Sequence, residues 1–269
     1  MLIAFQNKLI YMGYIPMGSR HERFVKDETL HLQVEEHAVS TPDGHRLRGF
    51  IAHGPVQNNG PIIIYFQGNA GNMIHRLPLF KTMMRAVPNA TVVGICYRGY
   101  GSSTGRANEK GLLIDAEAIY NDVKQRYPER SIYLYGHSLG GAVAVHLAAQ
   151  SHISVRGVIL ENTFTSILDM VKAMYPRYTP YPLIAKYFLW NHWRSESVIT
   201  QVKAPILFLS SEKDEIVPYA HMQKLCERVK DRAVFQTFRK STHMDIFVVE
   251  STRFITSIRD FIQAREGTL

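Results

Sequence analysis

Gly136-His137-Ser138-Leu139-Gly140 has the form Gly-x-Ser-x-Gly, with a hydroxyl at its centre. Residues 131–135 before it are apolar and aromatic and read as a buried strand; residues 141–149 after it are small and apolar and read as a packed helix. A serine on such a strand-to-helix turn stands clear of the sheet, and the positive end of the next helix faces the charge that grows during attack on a carbonyl. The glycines fit this geometry, because a side chain two positions from the serine meets the adjoining strand or helix. A bare Gly-x-Ser-x-Gly also arises as a plain tight turn. The strand and helix around this one favour a nucleophile.

A serine nucleophile needs a base and an acid that orients it, and for this turn they follow in the order Ser, Asp or Glu, His. The apolar strand 205–209 opens into residues 210–218, placing Asp214 just past the carboxyl end of a strand, where parallel sheets carry their working groups. Glu212 and Glu215 flank it and are expected in solvent. Strand 233–238 leads into Arg239-Lys240-Ser241-Thr242-His243, and of the twelve histidines His243 alone occupies the loop after the last strand. Glu161, at the end of strand 155–160, is the competing acid. The alternative, which is preferred, is that Glu161 and Asn162 brace the surrounding loops through hydrogen bonds. For the oxyanion the expected donors are the N–H of Leu139 and one N–H from Gln67-Gly68-Asn69-Ala70-Gly71-Asn72, the loop after strand 62–66, with the backbone of Asn69 as the choice. This glycine-rich loop lacks the Gly-Lys-Ser/Thr ending of a phosphate cradle.

The elements that must hold these groups follow an α/β rhythm. An opening hairpin spans residues 30–40 and 46–52, turned by Pro42-Asp43-Gly44. Helices are expected over 73–86, 109–126 and 247–264, with a strand over 91–97 between the first two. The 269 residues suffice for one domain with a full core, and there is no repeat, low-complexity linker or second domain. Residues 165–193 interrupt the rhythm and are read as a cap insertion. They hold Tyr175, Tyr178, Tyr181, Tyr187, Phe188, Trp190 and Trp193, spaced by prolines. Phe188 and Trp190 are the candidate substrate contacts. The aromatics line an acyl pocket or face a membrane beside Arg177, Lys186 and Arg194; the plain alternative is a small satellite core, and different residues are expected to serve each role.

The loop 67–72, the run Tyr97-Arg98-Gly99-Tyr100-Gly101-Ser102-Ser103-Thr104-Gly105, residues 136–141, Glu161-Asn162-Thr163-Phe164 and Asp214-Glu215-Ile216-Val217-Pro218 together resemble the Bem46-like α/β-hydrolases, which include the abhydrolase domain-containing 13 proteins. The resemblance runs over nearly the whole chain. It implies the α/β-hydrolase fold, a mostly parallel central sheet with helices on both faces, and a serine hydrolase with its triad at Ser138, Asp214 and His243. Two departures stand out. Gln67 replaces the histidine that the family usually has before Gly68, a residue that supports the loop. Many members also carry a transmembrane helix just before the segment matching residues 5–11, and this chain is expected to begin after it. The implied setting is intracellular and membrane-associated.

Composition agrees with a soluble enzyme domain, 46% apolar and 20% charged. A formal charge of +8 raises nucleic acid as a partner, but the basic residues are scattered and no binding module appears, so none is expected. Adsorption of a basic face to anionic lipid and an ordinary solvated surface remain as readings. Cys96 and Cys226 read as reduced thiols, and no metal or organic cofactor is expected. The apolar start of residues 1–20 is too short for a span of about 20 residues and reads as an interfacial helix, an anchor stub or a segment packed on the domain. The expected activity is cleavage of acyl esters or thioesters of a small-molecule or lipid substrate, with an acylated protein as a further candidate. A serine peptidase of the same fold and a non-catalytic scaffold are the alternatives.

Overall fold

The structure, a computed structural model, describes residues 2–25, 32–55, 59–176 and 178–267. A short helix α1 (Leu2–Ile10) precedes the hairpin β1 (Gln33–Ser40) and β2 (Arg46–His53). Then come β3 (Ile62–Phe66), a 3-10 turn Met73–Arg76, α2 (Leu77–Ala86), β4 (Thr91–Ile95), α3 (Glu109–Arg126), β5 (Ile132–His137), α4 (Leu139–Ala148) and β6 (Gly157–Glu161). The insertion carries α5 (Ile167–Met174) and α6 (Tyr181–Phe188), and α7 (Ser195–Val198) follows it. The chain closes with β7 (Ile206–Ser211), α8 (Tyr219–Glu227), β8 (Ala233–Phe238), α9 (Ile246–Val249) and α10 (Ser251–Glu266).

Eight strands form one sheet in the order β1-β2-β4-β3-β5-β6-β7-β8. β1, β2 and β4 pair antiparallel, and every pair from β4 across to β8 is parallel. The step from β3 to β4 runs one way along the sheet, and those from β4 to β5 and β5 to β6 run the other. Right-handed crossovers therefore put α2 on one face and α3 and α4 on the other. α10 packs on α2, and α3 packs on α4. β3, β4, β5, β6 and β7 are buried along their whole length, as their near-continuous apolar runs require for strands covered on both faces.

The elements depart from the sequence reading mainly at their ends. Residues 30 and 31 of the expected hairpin lie outside the described residues. The helix expected over 73–86 divides, with Asn72 capping the 3-10 turn and Pro78 falling in the first turn of α2, where its missing N–H costs nothing. The last helix breaks at Glu250, whose carboxylate accepts the N–H groups of Lys240 and Ser241 and the Ser241 hydroxyl. Arg98 of the Tyr97–Gly105 run is buried and donates to both Asp115 and Asp43, so that motif pins the β4 loop to α3 and to the hairpin turn.

Candidate active site

β5 ends at His137 and α4 begins at Leu139, so Ser138 alone makes the turn, with φ 53° and ψ −117°. A non-glycine residue in that region carries roughly 1–3 kcal/mol of strain. The surrounding contacts hold it there. The Ser138 N–H donates to the Glu161 carbonyl at 2.9 Å, and the Ser138 carbonyl accepts from Thr163 Oγ1 at 2.7 Å and the Gly141 N–H at 2.9 Å. A Cβ at Gly136 meets the Gly140 carbonyl oxygen and one at Gly140 meets that of Phe66, so both positions require glycine.

Asp214 and His243 come together from two different strand ends. Asp214 Oδ2 lies 2.7 Å from His243 Nδ1, with 1% and 4% of the two side chains exposed. The other carboxylate oxygen, Oδ1, accepts the N–H groups of Ile216 at 2.9 Å and Val217 at 2.8 Å. The carboxylate is thus fixed at both ends, one oxygen on the backbone and one on the imidazole. The His243 loop is tied down from below. Its carbonyl accepts from His137 Nε2 at 3.0 Å and from Asn162 Nδ2 at 3.1 Å, and its N–H donates to Glu215 Oε2 at 3.1 Å. Asn162 in turn accepts the Ser211 N–H at 2.9 Å. Glu215 is exposed as a residue and still contributes this hydrogen bond. Among the described residues no hydrogen bond joins Ser138 Oγ to His243; contacts of this kind are often long before substrate binds.

The loop from Gln67 to Asn72 is held by its carbonyls. Tyr97 donates to the Gln67 carbonyl at 3.0 Å, Tyr100 and the Met12 N–H to that of Asn69 at 3.0 and 2.7 Å, and Arg76 Nη2 to that of Ala70 at 3.2 Å. Gln67 Nε2 donates to the Gly71 carbonyl at 3.3 Å, so its amide spans the loop from within. The Asn69 N–H has no acceptor among the described residues. Leu139 opens α4, where the first N–H groups of a helix lack intrahelical partners.

Glu161 is buried and does not reach His243 Nδ1, which Asp214 occupies. Its carboxyl accepts the Tyr135 hydroxyl at 2.6 Å. Burial pushes it up to about 7, against the pull of that hydrogen bond. Burial likewise holds His137 well below the usual imidazole range, so the ring is neutral, with its proton on the nitrogen that faces the His243 carbonyl. The roles of His137, Arg76, Thr163 and Ser211 carry no sequence signal, since each depends on which strand lies next to which.

The insertion divides by burial. Trp193 is fully buried, its indole N–H donating to Tyr11 Oη at 2.9 Å. Tyr175, Tyr178, Tyr187, Phe188 and Trp190 are exposed. Phe188 lines an apolar groove of about 110 Å³ with Leu9, Val171, Tyr175, Tyr181 and Ile184; Ser138, Asp214 and His243 are not among its walls. Trp190 is fastened to α1, its N–H on Gln6 Oε1 at 3.0 Å and its indole on Asn7 Oδ1 at 3.2 Å. The N-terminal helix is therefore packed on the domain. Lys186 and Arg194 line a separate cleft of about 410 Å³ with Asp169, Glu196 and Arg228, and Arg177 lies outside the described residues. No described helix is long and apolar enough to cross a membrane, and no group of three or more His, Cys, Asp or Glu among the described residues is placed to hold a metal ion.

Comparison with known proteins agrees with this architecture. Residues 61–182 match the family model of the alpha/beta hydrolase fold. Protein bem46 of Schizosaccharomyces pombe is 36% identical over 97% of this chain and 87% of its own length. Lysophosphatidylserine lipase ABHD12 of Danio rerio is 28% identical over 77% of this chain and 59% of its own length. Among solved structures, the Pyrococcus furiosus esterase Pf2001 superposes with a TM-score of 0.73 at 18% identity, covering 91% of this chain and 97% of that one. With a buried acid–histidine pair, a strained serine at the carboxyl end of a central strand of the eight-stranded sheet, and 36% identity to bem46 over 97% of this chain, it belongs to the Bem46-like α/β-hydrolases.

Proposed function

We propose that this protein is a serine hydrolase that cleaves acyl esters or thioesters of lipid-like substrates through Ser138, His243 and Asp214. The observation that carries the reading is the 2.7 Å hydrogen bond between Asp214 and His243, at the same carboxyl end of the parallel strands where Ser138 is held at positive φ. Ser138 Oγ attacks the carbonyl carbon, and His243 Nε2 takes its proton. Asp214 fixes the Nδ1–H tautomer and stabilises the imidazolium that forms. The N–H groups of Leu139 and Asn69 receive the oxyanion. His243 then returns the proton to the leaving oxygen or sulfur, and water repeats the cycle on the acyl-enzyme.

The substrate class rests on the insertion. It begins two residues past Thr163, whose hydroxyl donates to the Ser138 carbonyl, and its exposed Tyr175 and Phe188 line an apolar groove. An acyl chain laid along Phe188 and Tyr175, with Trp190, next in sequence to Leu189 of the groove wall, as a further candidate contact, gains about 0.8 kcal/mol per buried methylene. The names of a lipase relative and an esterase neighbour support the same direction. Leu9 of α1 lines this groove, and the exposure of Phe5 and Leu9 supports contact with a lipid surface from which such a substrate is drawn. Labelling with a fluorophosphonate, followed by a panel of esters, thioesters and peptides, tests the reading. Labelling lost in Ser138→Ala and turnover confined to esters or thioesters supports it; failure of the wild type to label, or turnover of peptides alone, overturns it.

A further inference from the structure

Next to His137, which holds the His243 carbonyl, lies a second polar cluster that the proposed reaction does not use. A small space of about 20 Å³, partly open to solvent, is walled by Tyr65 on β3, His75 and Arg76 on the 3-10 turn, His137 on β5, Glu161 on β6, and Met244 and Phe247 near the His243 loop. That volume suits one water molecule, and the walls offer the polar partners a water needs. Two of the groups at this space have unused hydrogen-bonding capacity: His137 Nδ1 and Arg76 Nε are buried with no partner among the described residues. His137 is 3% exposed, and Glu161 is 2% exposed.

Three of these walls, His137, Arg76 and Glu161, are also attached to parts of the catalytic arrangement. His137 donates from Nε2 to the His243 carbonyl, and its ring lies 4.9 Å from the His243 ring, centroid to centroid. Arg76 donates to the Ala70 carbonyl in the oxyanion loop. The Glu161 carbonyl accepts the Ser138 N–H, and its carboxyl accepts the Tyr135 hydroxyl. Since parallel pairing sets His137 opposite Glu161, the register of β5 and β6 alone delivers the carboxyl to the back of the base.

We propose that Glu161 is a positioning residue for the reaction, its carboxylate acting on His243 through His137 and the water-sized space they share with Arg76. The proposal rests on the Ser138–His243–Asp214 reading above. A negative charge behind the imidazole favours the imidazolium that forms when His243 takes the serine proton, adding to the effect of Asp214. A protonated Glu161 withdraws that help. The charged and titratable groups that face it are Arg76 and His75 from the 3-10 turn, Tyr65 from β3, Tyr135 and His137 from β5, and Asp214 and His243 from the loops. Arg76 and His243 favour its ionised form, and Asp214 opposes it. Burial leaves this carboxyl titrating at about 7, inside the range where such enzymes are assayed.

The test is the pH dependence of kcat/KM on a short ester, measured on the full chain from pH 5 to 9 with fluorophosphonate labelling in parallel. For the wild type the acid limb is expected to fall more steeply than the roughly tenfold per pH unit of a single ionisation. Glu161→Gln is expected to lose about tenfold at neutral pH and to show a single-ionisation limb. Tyr135→Phe removes the donor that helps Glu161 ionise, so its acid limb should move to higher pH by up to about one unit. This variant serves also if Glu161→Gln does not fold. Identical limbs in all three proteins, or a uniform drop in Glu161→Gln with the profile unchanged in shape, overturn the proposal and leave Glu161 a structural residue. A wild type that does not label overturns the triad itself, and the labelling arm tells the two failures apart.

Discussion

Replacing Asp214 by Asn tests the assignment of the acid, and the structure fixes how the amide must sit. Asp214 Oδ1 accepts two backbone N–H groups, from Ile216 and Val217, while Oδ2 faces His243 Nδ1 at 2.7 Å. An amide has one acceptor oxygen. Placing its NH₂ on the backbone side sets donor against two donors, so the oxygen stays there and the NH₂ turns to the imidazole. His243 Nδ1 must then accept, and the ring proton moves to Nε2, the atom that has to receive the serine proton. The charge that steadies the imidazolium is lost as well. Across 2.7 Å at an effective dielectric of about 20, that charge–charge attraction amounts to about 6 kcal/mol. Together these effects give an expected loss of ~10⁴-fold in kcat. The fold should survive, because both backbone hydrogen bonds to Oδ1 persist, and the thermal midpoint should change by only a few degrees. Stopped-flow and steady-state hydrolysis of p-nitrophenyl esters, with a thermal melt beside them, measure both quantities. A loss under about tenfold in Asp214→Asn, with a larger loss in Glu161→Gln, would move the acid to Glu161 and refute the argument.

Other changes separate chemistry from structure. Ser138→Ala should abolish ester turnover and probe labelling in a folded protein, and Ser138→Gly, which relaxes the φ of 53°, should be more stable than Ser138→Ala by about 1–2 kcal/mol in urea unfolding; equal stabilities would deny strain at the elbow. Glu161 sits at about 7, above its ordinary value of 4.5, so its contribution to stability is full below about 4.5 and is lost as pH rises through 7. The stability of Glu161→Gln relative to the wild type should therefore improve by about 3 kcal/mol between pH 4.5 and 8, and a pH-independent difference would contradict burial of the ionised carboxyl. Arg98→Met strands Asp115 without its buried partner and should cost about 3–5 kcal/mol of folding stability by denaturant titration; a cost below 1 kcal/mol would show the pair to be dispensable. Catalytic efficiency should rise with acyl length over the first several carbons, and Phe188→Ala or Trp190→Ala should flatten that rise while changing acetate-ester activity little. Efficiency that falls with every added carbon would remove the acyl groove.

The residue order of this chain by itself specified the local events. Glycines at 136 and 140 mark the tight turn at Ser138: a Cβ at 136 would meet the Gly140 carbonyl one turn on, a steric limit written within five residues, whereas the demand for glycine at 140 comes from the Phe66 carbonyl of β3 and belongs to the packed sheet. Continuous apolar runs in β3, β5, β6 and β7 announce strands covered on both faces, and the alternation with helices announces a parallel sheet. A histidine in the last loop and an aspartate past β7 are likewise legible, since each lies beside a recognisable strand end. What depends on spatial neighbours was not written locally. Glu161 at the end of β6 and Asp214 in the loop past β7 are the two candidate acids in the sequence, with Asp214 preferred; the contacts that decide their places are tertiary: the two N–H groups of Ile216 and Val217 and the approach of the His243 loop put Asp214 on the imidazole, while Glu161 accepts the Tyr135 hydroxyl. Glu215, read as a solvent residue, holds the His243 N–H because the two loops meet 28 residues apart in sequence. Trp193 and Trp190 have the same local character, yet one is buried on Tyr11 and the other rides on α1, a helix some 180 residues earlier. Local sterics and hydrophobic periodicity are properties of short stretches and survive in the sequence. Hydrogen-bond partners, burial and the electrostatics that follow from them arise only when distant stretches are packed together.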